Sequence, residues 1–175
     1  MSLKFKVSVP ATSANIGVGY DCLGVALDYK LELEVEESDK IEFLENGVPF
    51  SIPIEENYIF ESIKYTEKYL EEKIPNYKVN IIKNEIPLAR GLGSSSSAIV
   101  AGILIANTFS SSCLDINKVA RLAVEMEGHP DNVIPAIFGG MVLTAHDRDN
   151  LVYNKILHSE ELYYYVMIPN FKLST

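Results

Sequence analysis

The residues best suited to chemistry lie in PLARGLGSSSSA, positions 87–98, where Gly91 and Gly93 lead into a run of serines that opens a long apolar stretch. Glycines there permit positive φ and let a ligand approach the main chain. The start of a helix adds unpaired N–H groups and the positive end of a dipole. Serine hydroxyls add donors or a metal ligand. The segment therefore reads as an anion cradle suited to phosphate. It is not a Walker A loop, because no Gly-Lys-Ser/Thr follows, nor a dinucleotide fingerprint, because Ser96 stands at the third glycine position. The alternative is a Gly/Ser loop that only caps a buried helix.

Two further stretches carry polar residues in apolar surroundings. VPATSANIGVGYDCLGVAL, positions 9–27, places Thr12, Ser13, Asn15 and Asp21 in a glycine-punctuated loop between two predicted strands, where ligands commonly bind. A polar turn, in which Asn15 and Asp21 bond their own backbone, explains the same residues. EGHPDNVIPAIFGG, positions 127–140, sets Glu127, His129, Asp131 and Asn132 at a predicted helix junction. No HExxH spacing is present, and His146 and His158 fall in other strand or turn contexts and read as surface residues. Asp131 is alternatively an N-cap for a helix beginning at Asn132.

These stretches need elements to position them. Alternating polar and apolar residues predict strands at KFKVSV near the start and at Ala26–Glu36, with shorter strands at Ile41–Leu44 and Phe50–Ile52. Ile59, Ile63 and Leu70 are spaced for a helix over Asn57–Glu72, and Tyr77–Lys83 returns to strand alternation. A nearly all-apolar helix from Ser95 to about Phe109 follows, then one over Asp115–Glu127 with Asp115 as N-cap, and a short one around Asn132–Ile137. Ile99, Val100, Ile103, Leu104 and Ile105 leave the first of these no polar face, so it must be buried. Met141–Ala145, Leu151–Ile156 and Leu162–Ile168 read as three final strands. Strands first, helices in the middle and strands last predict an α+β fold, in one domain without repeats or a linker.

Composition narrows the function. With 175 residues, 47% of them hydrophobic, the chain can bury a real core. A net charge of −9 argues against general binding to nucleic acid or anionic membrane, since both need a basic face. The longest apolar stretch, Ala98–Ala106, is about half of what spans a bilayer, and no signal-like core stands near the start, so a cytoplasmic protein is expected. Cys22 and Cys113 lie far apart, without CxxC spacing, and read as packing residues.

The three stretches, VPATSANIGVGYD, PLARGLGSSSSA and EGHPDNVIPAIFGG, resemble in order and spacing the motifs of the GHMP small-molecule kinases, and within them most closely the homoserine kinases. The resemblance covers essentially the whole chain. It implies the family's N-terminal, ATP-binding domain over residues 1–175, with a mixed or antiparallel sheet packed on helices and a left-handed βαβ unit. The family's further C-terminal domain lies outside this chain.

The resemblance also implies ATP-dependent phosphorylation of the side-chain hydroxyl of L-homoserine to O-phospho-L-homoserine, on the way to threonine. ATP would be bound by Pro87, Leu88, Ala89, Arg90, Gly91, Leu92, Gly93, Ser94, Ser95, Ser96 and Ser97, its phosphates over Gly91–Ser97, with Asn57 at the adenine. Ser95 and Glu127 would hold Mg²⁺, Glu125 being the rival carboxylate. Asn15, Asp21 and His129 would bind homoserine, while Asp131 and Asn132 would form the catalytic floor. Expected partners are homoserine and ATP, with a homodimer compatible and neither nucleic acid nor membrane involved. No Lys or Arg stands between Val9 and Asp21, so the Lys-assisted base of mevalonate- and galactose-type members is missing. The competing expectations are another kinase of this family, acting on mevalonate, shikimate or diphosphocytidyl-methylerythritol, and a module that senses a nucleotide or metabolite without turnover.

Overall fold

The computed structural model describes residues 2–147, 150–157, 161–168 and 170. Seven strands form one sheet: β1 Lys4–Ala14, β2 Leu23–Glu37, β3 Glu42–Glu45, β4 Val48–Pro49, β5 Tyr77–Asn84, β6 Met141–Asp147 and β7 Asn150–Ile156. Among the described residues four α-helices accompany it: α1 Tyr58–Leu70, α2 Ser94–Phe109, α3 Ile116–Glu127 and α4 Pro130–Phe138. The order across the sheet is β4-β3-β5-β2-β6-β7, with β1 also paired to β2. Only β3 and β5 run parallel, joined through α1, so the expected α+β architecture with a mixed sheet is what the chain adopts.

β2 organises the sheet. Along one edge it pairs with β1 from Glu36 to Gly24, and along the other it pairs with β5 at its far end and with β6 at its start. Its alternation sends Leu31, Leu33 and Val35 to the core, joined there by Val7, Val9, Val79 and Ile81. The opposite face stays wet, with Lys4 and Lys78 both on Glu36 and Lys6 on Glu34 at 3.1 Å. Exposed pairs of this kind contribute little to stability but suit a solvated sheet face.

The helices cover the apolar face around α2, whose Ile99, Val100, Ile103 and Ile105 are buried as its composition requires. Gly102 lets α1 come close, because a Cβ there would lie 2.4 Å from the Ile59 carbonyl oxygen. Side chains cap two helices: Asn57 accepts from the Ile59 N–H at the start of α1, and Asp115 accepts from Asn117 and Lys118 at the start of α3. Gly128, at φ +90, ends α3 and hands the chain to Pro130 in the first turn of α4.

Several sequence expectations are corrected. Strand β4 is Val48–Pro49, not Phe50–Ile52, because Asn46 and Gly47, at φ +50 and +80, make a two-residue hairpin turn directly after β3. Leu162–Ile168 forms no strand and is exposed, since its alternation finds no ladder among the described residues. The last helix begins at Pro130 rather than Asn132, so His129 takes the N-cap position and Asp131 lies in the first turn. Cys113 is exposed and Cys22 half-buried, so only the latter retains a packing role. His146 is exposed, as expected, while His158 lies outside the described residues. β1 and β2 also run further than predicted, leaving only residues 15–22 as the loop between them.

Candidate active site

Between the end of β5 and the start of α2, the chain turns through Ala89 at φ +54, Gly91 at +71 and Gly93 at +64. Leu92 is buried and anchors this loop, and its carbonyl accepts from the Thr12 N–H on β1 at 3.2 Å. No side chain caps α2, so the N–H groups of its first turn face the loop unspent by any capping group. A Cβ on Gly93 would lie 2.1 Å from Thr12 Oγ1, which makes glycine obligatory for this close crossing of loop and strand.

The serines then divide by role. Ser96 Oγ donates to Glu127 Oε1 at 2.7 Å, and Ser95 Oγ approaches Glu127 Oε2 at 3.4 Å. The Ser97 hydroxyl turns back to the carbonyls of Pro10 and Gly93, so its side chain braces the loop rather than facing a ligand. Arg90 reaches the carbonyl of Asn170 at 3.3 Å. Glu125, the rival carboxylate, faces α1 instead, where it accepts from Tyr65 Oη at 3.0 Å. Burial, reinforced by that carboxylate, pushes the Tyr65 phenol up. Glu127 alone of the two therefore meets the serines.

A cavity of about 340 Å³ adjoins the same helix start. Phe50, Ile52, Ile81 and Ile86 give it apolar walls, while Leu88, Ser94 and Ser95 connect it to the loop. Asn57 sits at its edge, buried, with Oδ1 spent on the Ile59 N–H and Nδ2 lacking a partner among the described residues. It is both the helix cap and a free donor. Pro87 is half-buried beside this opening.

The first and third motifs meet on the other side of Gly93. Thr12 Oγ1 donates to Asn132 Oδ1 at 2.8 Å, and the main chain of Gly24 passes so close to α4 that a Cβ there would overlap the Asp131 carbonyl oxygen at 1.8 Å. Thr12 and Gly24 thus fix both stems of the 15–22 loop against α4. Within that loop Asn15 and Asp21 both take positive φ, and Asn15 Oδ1 accepts from the Asp21 N–H at 2.8 Å. The backbone-bonding reading of Asn15 is therefore realised, while the Asp21 carboxylate is left exposed to solvent. His129 Nδ1 lies 2.8 Å from Asp131 Oδ1, whose residue is only 1% exposed, and the imidazole itself projects outward.

Thus the structure forms two groups on either side of the start of α2, Ser95 and Ser96 with Glu127, and Gly93 with Thr12 and Asn132. Asp131 is placed behind His129. The side chains of Ser97 and Glu125 turn away from these groups. Thr12 and Ser96, both named from the sequence, prove to be connecting residues through bonds that spacing does not show, and the cavity walls Phe50 and Ile52 stand where the sequence pattern predicts a strand. Among the described residues no group of three or more His, Cys, Asp and Glu assembles. A divalent cation held here would rest on the Glu127 carboxylate, serine hydroxyls and a ligand's own oxygens. Such a set of hard oxygen donors suits Mg²⁺ bound with a nucleotide.

Residues 57–140, from the Asn57 cap through the glycine loop to the end of α4, match the family described as GHMP kinases N terminal domain. The chain has the GHMP kinase N-terminal fold. It is 42% identical over 171 residues to a homoserine kinase of Clostridium novyi (strain NT), covering 97% of this chain and 57% of that protein. The GHMP fold also aligns with the crystal structure of a homoserine kinase from Cytophaga hutchinsonii, with TM-score 0.71 and 30% identity, over 87% of this chain and 51% of that one. With the Methanococcus jannaschii mevalonate kinase the TM-score is 0.66 at 22% identity, over 89% of this chain and 56% of that one, which shows a shared fold alone. The chain spans under three fifths of the length of the curated relatives it matches. No helix among the described residues is long and apolar enough to cross a membrane.

Proposed function

We propose that this chain is the ATP-binding N-terminal domain of a cytoplasmic kinase that transfers the γ-phosphoryl group of ATP to the side-chain hydroxyl of L-homoserine. The supporting observation is the continuity of the site: the cavity at Asn57 runs through Ser94 and Ser95 into the uncapped start of α2, next to Glu127 and Asn132. A nucleotide laid along that path has its base among Phe50, Ile52 and Asn57, its phosphates on the loop amides, and its terminal phosphate near Thr12 and Asn132.

Each residue then has a chemical task. The amides after Gly93 and the α2 dipole offset phosphate charge. Glu127, with Ser95, would hold Mg²⁺, which when bound neutralises charge developing on the phosphate oxygens. The Asp21 carboxylate suits the substrate ammonium, and His129, steadied by Asp131, suits its carboxylate. Asn132 orients the attacking hydroxyl for in-line displacement. Positioning and electrostatic stabilisation supply the rate enhancement, and no side chain is required as a general base. Residues beyond this chain, in the further C-terminal domain that the relatives' greater length suggests, would complete the substrate pocket.

The test is coupled ADP release by the longer protein across homoserine, mevalonate and shikimate. Turnover with homoserine supports the assignment. Turnover with mevalonate or shikimate alone moves the chain to another kinase of the family, and tight ATP binding with no acceptor turned over makes it a sensor.

A further inference from the structure

Thr12 is a buried hydroxyl that joins the glycine loop to Asn132, yet no role in binding or catalysis follows from its place in the β1 motif. It is fully buried, beside the β-bulge where the register with β2 shifts between Pro10 and Thr12. Its N–H holds the phosphate loop through the Leu92 carbonyl, Gly93 packs directly on its Oγ1, and that hydroxyl donates to Asn132 Oδ1 at 2.8 Å.

Resting on the function proposed above, we infer that Thr12 is a positioning residue that fixes the side-chain amide of Asn132 with its oxygen inward and its NH₂ group towards the reacting hydroxyl and phosphate. A hydroxyl has one proton to donate, and Asn132 Oδ1 is its acceptor here. Were the amide reversed, its NH₂ would meet the hydroxyl oxygen. The Thr12 proton would then lose the acceptor it has, and an unsatisfied buried donor is costly. The single orientation makes Asn132 a pure donor at the reaction centre. It can hold the attacking oxygen, or a phosphoryl oxygen as charge grows on it, and it cannot accept the hydroxyl proton. This is why the in-line reaction proceeds without a base at this position. Gly93 belongs to the same device, since any side chain there would displace the Thr12 hydroxyl.

The experiment compares Thr12→Val, Thr12→Ser, Asn132→Ala, Asn132→Asp and the double variant Thr12→Val/Asn132→Ala in the longer protein, measuring kcat, KM for both substrates and melting temperature. Wild-type turnover of homoserine is established first, so failure of the proposed function is seen separately from failure of this inference. Thr12→Val, nearly isosteric, should lower kcat about tenfold or more while KM for ATP changes less than about twofold, and Thr12→Ser should restore most of the loss. Because Thr12 acts through Asn132, the double variant should be no slower than Asn132→Ala, a non-additivity that a merely structural residue would not show. Asn132→Asp keeps an acceptor for Thr12 but lacks the N–H donors, and should be as slow as Asn132→Ala. Multiplicative losses in the double variant, wild-type kcat in Thr12→Val, or an active Asn132→Asp enzyme would each overturn the inference. Should Thr12→Val fail to fold, Thr12→Ala takes its place, alone and combined with Asn132→Ala, with the same outcomes expected and the same outcomes overturning the inference.

Discussion

Replacing Gly93 with alanine tests the crossing on which the whole site depends. Two costs add. An L-residue at φ +64 loses roughly 1–2 kcal/mol relative to glycine, from the clash of Cβ with its own backbone. The new Cβ would also lie 2.1 Å from Thr12 Oγ1. Thr12 is buried near the end of β1, so it yields only by giving up its bond to Asn132, which leaves buried polar atoms unpaired at about 1–3 kcal/mol. The sum, about 2–5 kcal/mol, is a large share of the roughly 5–15 kcal/mol that holds a domain together. Gly47 supplies the control, because it has φ +80 and a Cβ added there would meet nothing within 4 Å. Gly47→Ala should therefore lose only the backbone part, about 1–2 kcal/mol. Denaturant titration of both variants, alongside calorimetric ATP binding, separates the contributions. Gly93→Ala should unfold clearly earlier than Gly47→Ala and bind ATP weakly, whereas the control should bind normally. Equal midpoints for the two would refute the close crossing at Thr12. The contact with Thr12 extends the loss from binding to folding.

Asp21→Asn keeps a residue that tolerates the αL backbone observed there, so the melting temperature should hold while homoserine affinity falls by about 1.5–3 kcal/mol, as for a lost charge-assisted hydrogen bond; normal affinity with early melting would make Asp21 structural. Glu72 ties the end of α1 to the segment after α2, accepting from the Ser110 and Ser112 hydroxyls and the Ser111 N–H, and the first of these contacts leads in holding its pKa at about 2, below the ordinary 4.5. A carboxyl depressed by folding stabilises fully above its unfolded pKa and progressively less as pH falls from about 4.5 towards 2, so Glu72→Gln should flatten the acid limb of a stability–pH profile across that window. An unchanged limb would show that the clamp is not formed in solution. Tyr77 Oη is buried without a partner among the described residues, and burial pushes its pKa up, so Tyr77→Phe should leave stability equal or raise it by about 1 kcal/mol, while a marked loss would reveal a hidden acceptor.

The fold was legible where local pattern and tertiary demand agree. α2 has no polar face and must be central, β2 alternates because one side is wet, and Asp115 sits one residue before a periodic run. The misreadings have local causes as well. Asn46-Gly47 signals a tight hairpin more strongly than the apolar Phe50–Ile52 signals a strand, and Leu162–Ile168 alternates yet takes no strand. In the site, the glycine loop and the Glu127–Asn132 junction announced themselves by unusual polar density. What linked them did not. The Thr12–Asn132 bond joins positions 120 apart and the Ser96–Glu127 bond positions 31 apart, and no spacing rule reaches across such separations. The choice of Glu127 over Glu125 also needed the helix in place, since two residues along α3 turn one carboxylate to the serines and the other to Tyr65.

The central claim is that the acceptor is the side-chain oxygen of homoserine. The most direct measurement is ³¹P NMR of the product formed by the longer protein from ATP and homoserine. A phosphomonoester resonance split by an adjacent CH₂ group, growing in step with ADP, is the predicted result. Inorganic phosphate alone, or an acyl phosphate on the substrate carboxylate, would contradict the account.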